Sequence, residues 1–99
     1  MARPLRDDSD RAARAAEIVR ALAHPDRLRV AAALVAGEAG VAELSARLGM
    51  PRGRVARHLA PLVAARLVAP VPGGDGAARY RVVEPALHGL VACMEDCSR

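Results

Sequence analysis

Arg47, Arg52, Arg54, Arg57 and Arg66 fall between residues 44 and 74, a stretch with no Asp or Glu. A guanidinium is planar, permanently charged and forks toward two acceptors at once, which suits a guanine edge or a phosphate. Acids gather outside the stretch, as Asp7, Asp8 and Asp10 before it and Glu95 and Asp96 after it. A basic island between acidic ends is the charge footprint of a nucleic-acid contact. A merely solvated face would more often mix both signs. The net charge of +4, from fifteen arginines against eleven acids, says less than this distribution.

A second chemistry lies near the end of the chain. Cys93 and Cys97 are four residues apart, so on a helix they project from one face about a turn apart. Such a pair can hold a soft metal or a trivalent arsenical, or be oxidised together. Inert packing is the competing reading, because both border an apolar arc of Leu87, Leu90, Val91 and Met94. Two thiols are also few for a soft-metal site, so a third ligand would come from a second subunit or another segment. His88 projects about 140° from Cys93 and shares a face with Glu84 and Glu95. Two antiparallel copies of that face would make a His/carboxylate site suited to zinc, nickel or cobalt. A surface helix pair between Glu84 and His88 is the plainer reading.

Enzymatic chemistry finds no support. The sequence has no Gly-rich phosphate loop, and Ser9, Ser45 and Ser98 lack a nearby histidine to activate them.

The elements that position these residues follow from length and pattern. Ninety-nine residues make one domain. With no Phe or Trp and only Tyr80, the core rests on Ala, Val and Leu, which favours helices that approach closely. Residues 1–9 read as a flexible arm and residues 10–97 as the folded domain. No signal peptide or spanning apolar run is evident, so a cytoplasmic protein with reduced thiols is expected.

A helix is predicted over residues 10–23, capped by Asp10 and burying Ala15, Ile18, Val19 and Leu22. His24 joins it to a second helix that opens at Pro25, turns Leu28, Ala31, Ala32 and Val35 inward and stops at Gly37. A short helix over 42–48 closes at Gly49, and a fourth runs over 52–65. Pro61 inside that helix should kink or shorten it. Strands are predicted over 67–71 and 78–83, joined by flexible turn residues at 72–76, and Pro85 opens a last helix ending near Cys97.

Helix, turn, helix and hairpin in that order make a winged helix-turn-helix, whose second motif helix enters the major groove. At about 100° per residue, Val55, Leu59, Leu62 and Val63 share one face of the fourth helix. Arg57 lies opposite, flanked by Gly53, Arg54 and Ala60. Arg54 and Arg57 are thus the expected base or phosphate readers, with small neighbours that permit close approach. Arg52 suits a phosphate, and His58 suits either DNA contact or packing. Arg79 and Arg81 stand two apart on the wing strand, so both should point to one face of the hairpin; Arg79, nearer the tip, is the expected phosphate contact.

These segments resemble a known family. Leu22-Ala23-His24-Pro25-Asp26-Arg27-Leu28-Arg29-Val30 is similar to the helix-joining signature of ArsR/SmtB-type metalloregulators. Val55-Ala56-Arg57-His58-Leu59, with Leu62 and Arg66-Leu67-Val68, resembles that family's recognition helix and its exit into the wing, where Tyr80 also has a counterpart. The resemblance covers about residues 15–92. It implies a mainly α fold with a small β-hairpin, in the order ααααββα. It further implies a homodimer through the first and last helices, and a repressor that leaves its operator DNA when a metal, metalloid or thiol-directed signal arrives. A winged-helix protein-interaction module, or a DNA-binding subunit that needs a co-regulator protein and senses no metal, is the alternative. The thiol motif that many members carry on the third helix is missing, since Gly40-Val41-Ala42-Glu43-Leu44 stands there.

Overall fold

The computed structural model describes residues 3–72 and 78–99. Residues 73–76 of the expected hairpin turn lie outside the described residues. Helix α1 (Ser9–Leu22) is capped by Asp8, not by Asp10. Asp8 has an extended backbone, and its carboxylate accepts the Arg11 N–H at 3.1 Å. Asp10 falls instead in the first turn, where its charge still suits the helix dipole. Before the helix, Leu5–Asp7 forms one 3-10 turn, and Arg3 donates to the Asp7 carbonyl.

Helix α2 (Pro25–Ala36) begins with a proline that has no N–H to lose, and ends at Gly37. Helix α3 (Val41–Leu48) closes on Gly49, whose φ of 66° is the left-handed conformation that glycine adopts without strain. Helix α4 (Arg52–Ala64) completes the helix-turn-helix. Pro61 does not shorten it: the helix runs three residues beyond the proline, although the Arg57 carbonyl loses its i+4 N–H donor, and the last turn has its own closure. Leu67 N–H donates to the Leu62 carbonyl at 3.0 Å and Arg66 N–H to the Val63 carbonyl at 2.9 Å, a Schellman closure. Arg66 occupies its left-handed position, with φ of 60°.

The wing is larger than the expected hairpin. Strand β1 (Ala39–Gly40) joins β2 (Val68–Val71) and β3 (Arg79–Val82) in a three-stranded antiparallel sheet of order β1-β3-β2. Ala39 pairs with Tyr80 and Gly40 with Arg79, while Val68 faces Val82 and Pro70 faces Tyr80. Pro70 is tolerated because β2 is an edge strand. The order is therefore α-α-β-α-α-β-β-α. Two residues with no strand pattern pair because β3 offers a free edge beside the start of α3.

Leu44, Val55, Leu62, Leu67 and Leu87 form the solvent-free centre, and α5 (Ala86–Cys97) adds Val91. The buried faces of the first two helices are rotated from expectation. Helix α1 buries Ile18, Ala21 and Leu22 while Val19 is 62% exposed. Helix α2 buries Val30, Ala31 and Leu34, with Leu28, Ala32 and Val35 only partly covered. Two arginines staple helix ends. Arg14 donates to the Ala65 carbonyl at 2.7 Å and also pairs with Glu17 and Glu84; Arg29 donates to the Leu48 carbonyl at 2.8 Å. No helix among the described residues is long and apolar enough to cross a membrane.

Candidate nucleic-acid interface

The site is built outward from the inner face of α4. Val55, Leu59 and Leu62 anchor that face in the core, and this fixes the rotation of the helix. Arg52, Gly53, Arg54, Ala56, Arg57 and Ala60 are then all exposed. A Cβ on Gly53 would meet no atom within 4 Å, so nothing inside the chain demands glycine there. Among the described residues, Arg52 and Arg57 have no salt-bridge partner, and their charges are open to an external anion. Arg54 does have one. Its guanidinium lies 3.9 Å from the Asp26 carboxylate at the start of α2, and Asp26 also pairs with Arg29 at 3.4 Å.

His58 does not join that exposed surface. It is 6% exposed and stacks at a tilt on His24, with ring centroids 4.6 Å apart. Burial first, then the His24 ring and Arg27, hold its pKa below the usual imidazole value. The ring faces inward, beneath the surface that Arg52, Arg54 and Arg57 present.

Arg79 departs further from the expected role. Its guanidinium pairs with Glu43, donates from Nε to Glu38 Oε1 at 3.2 Å and from Nη2 to the Glu38 carbonyl at 3.0 Å. Alternation on a strand gives two faces without saying which one an adjacent element covers. Here Tyr80 and Val82 carry the face packed on the core, while Arg79, on the other face, lies beside Glu38 and the start of α3. Glu43 also accepts the Gly40 N–H at 3.2 Å, half of a capping box. That backbone bond, then Arg79, pulls the Glu43 carboxyl below its ordinary range, and Arg79 is raised in turn. The cluster ties the wing to the first motif helix. Arg81, on the same face of β3, is exposed.

Between α4 and the wing runs an apolar groove of about 380 Å³, lined by Ala56, Ala60, Val63, Pro70 and Tyr80 among others. Small side chains on α4 open this space and leave the helix free to approach a partner closely.

The last helix distributes its candidates differently. Cys93 and Cys97 are both exposed, so packing against this chain's own core does not account for them. Within one chain, Glu84, His88 and Glu95 form no metal-holding group among the described residues. Glu84 precedes α5, accepts the Ala86 N–H at 3.1 Å and pairs with Arg14, while His88 stands exposed. Among the described residues, one grouping does converge: ligand atoms of His24, Asp26 and His58 all lie within 4.8 Å of one another. The sequence expectation gave His24 only a joining role. The His-Pro-Asp spacing at a helix start was the available signal, but its partner His58 is remote in the chain.

A family model described as a helix-turn-helix domain matches residues 22–71. No curated protein matches the chain. Among solved structures, HlyU from Vibrio cholerae N16961 has a TM-score of 0.80 at 24% identity, covering 88% of this chain and 94% of that one. The transcriptional repressor BigR from Xylella fastidiosa has a TM-score of 0.76 at 26% identity, covering 95% and 92%. The homodimeric winged helix-turn-helix DNA-binding domain of Mb0332 from Mycobacterium bovis, a possible ArsR-family regulator, has a TM-score of 0.78 at 23% identity, covering 99% and 90%.

Proposed function

Because this chain belongs to the helix-turn-helix domain family and has the ArsR/SmtB-like winged fold, we propose that it is a dimeric repressor that reads operator DNA with α4. The carrying observation is the outer face of that helix, where Arg52, Gly53, Arg54 and Arg57 are exposed while Val55, Leu59 and Leu62 hold the other side in the core. Arg54 and Arg57 contact bases or phosphates, and Arg52 a phosphate. Arg79 acts one step removed, by holding the wing against α3, and His58 takes no part in contact.

A homodimer through α1 and α5 is supported by apolar side chains left uncovered on both, Val19 at 62% and Leu90 at 36% exposed. It is also in line with the homodimeric relative Mb0332. The releasing signal acts on Cys93 and Cys97, whose exposed thiols stand about one helical turn apart and suit a soft metal, a trivalent arsenical or oxidation.

The test is a binding titration with a fragment of the chain's own promoter at several salt concentrations. Wild type should bind with a steep inverse salt dependence, and Arg54→Ala with Arg57→Ala should weaken binding roughly tenfold or more. Salt-insensitive binding, or none, would overturn the repressor reading and favour an adaptor that docks a protein. Arsenite or mild oxidant should release the DNA from wild type but not from Cys93→Ser/Cys97→Ser. Equal release from both would remove the thiols from the signal.

A further inference from the structure

We infer that His24, Asp26 and His58 form a binding site for one divalent transition-metal ion of the zinc, cobalt or nickel class, joining the α1–α2 junction to the recognition helix. The site goes beyond the DNA-binding reading and does not depend on it. It is also separate from the thiols of α5.

Three observations carry it. The ligand atoms of the three side chains converge within 4.8 Å of one another, although His58 belongs to a different helix from the other two. Bonds of about 2.0–2.2 Å to a zinc-class ion need the ligands somewhat closer than that. His24 is exposed and Asp26 half-buried, so both have room to close on His58, which burial holds in place. The second observation is an orphan. Nδ1 of His58 is buried and has no hydrogen-bond partner among the described residues. A histidine that merely fills space in a core normally satisfies its ring nitrogens. The third is the donor set: two imidazoles and one carboxylate select a borderline transition metal over calcium or magnesium, which prefer oxygen alone.

The surroundings set the strength of the site. Arg29 and Arg54 already pair with Asp26, and Arg27 and Arg57 add positive charge near His58. A cation must displace part of that field. Nδ1 of His24 also accepts the Asp26 N–H at 3.1 Å. Metal on either nitrogen of His24 gives up that cap, since a ring bound through Nε2 carries its proton on Nδ1. These costs make the site one of moderate affinity. When it fills, Asp26 turns from Arg54 to the metal, and Arg54 loses its only salt-bridge partner among the described residues.

The test uses the full chain with Cys93→Ser and Cys97→Ser, so that thiols contribute nothing. Cobalt(II) absorption and calorimetry with zinc are read on the protein alone, without DNA. One ion should bind per chain. His24→Asn, which keeps a capping side chain, and Asp26→Asn should each weaken binding at least tenfold while His88→Ala leaves it unchanged. Circular dichroism melts confirm that each variant is folded, and zinc should shift the imidazole resonances of His58 in wild type. The assignment is overturned if the thiol-free chain binds no ion. It is equally overturned if His24→Asn and Asp26→Asn bind as tightly as their parent, or if His88→Ala abolishes binding.

Discussion

The Asp26 carboxylate stands 3.9 Å from the Arg54 guanidinium, so the start of α2 sets a counter-charge against the outer face of α4. An anion on DNA must compete with that carboxylate for the same cation. Asp26→Asn should therefore tighten binding to a promoter fragment by about two- to fivefold, the scale of one exposed ion pair. The comparison is made at fixed salt with a chelator present. Weaker binding by the variant would mean that Asp26 orients Arg54 instead of restraining it.

The cluster of Glu43, Gly40 and Arg79 gives the fold an acid-sensitive joint. The Glu43 carboxyl is held below its ordinary value, first by the Gly40 N–H and then by Arg79. Its stabilising contribution is therefore complete above the unfolded-state value and lost as the pH falls through the lower folded one. In Glu43→Gln the contribution is lost at neutral pH. The melting temperatures of the variant and wild type should differ at neutral pH and converge in acid, followed by circular dichroism. Parallel curves would exclude the joint.

Much of this architecture is legible in the residues, and the reasons for the rest are physical. His24-Pro25, Gly37, Gly49 and Pro85 punctuate the helices because proline and glycine act locally. The inward and outward faces of α4 follow from helical spacing, since Val55, Leu59 and Leu62 are strongly apolar. Val19 misleads because periodicity gives an apolar stripe without saying whether the chain's own core or another surface covers it. Arg79 misleads for a related reason: its partners Glu38 and Glu43 arrive through β1, which has no pattern of its own. The meeting of His24 and His58 is a tertiary event and leaves no local trace.

Arg66 should tolerate glycine better than arginine. Its φ of 60° in the closure of α4 costs a side-chain-bearing residue about 1–2 kcal/mol. Glycine removes that strain but adds freedom to the unfolded chain. Arg66→Gly should raise stability by about 0.5 kcal/mol net, seen as a higher melting temperature. The reverse applies at Gly49, where Gly49→Ala should lower stability by about 1 kcal/mol, because a Cβ there meets no neighbour and the left-handed backbone alone is penalised. A neutral result at both positions would show that the two turns relax freely.

Val19 offers a direct test of assembly. At 62% exposure, a charge placed there should leave the fold of one chain intact. Val19→Asp should convert a dimer to a monomer in analytical ultracentrifugation while preserving the helical spectrum. A dimer that persists would move the interface away from α1.

Strand β1 and the Arg79 cluster close a ring: α3 leads to α4, α4 to the wing, and the wing back to the start of α3. A load applied at the hairpin therefore reaches α3 through pairing and charge without first passing through the leucine centre. Helices α3 and α4 and the wing are thus fastened to one another at their outer edges as well as through the shared core.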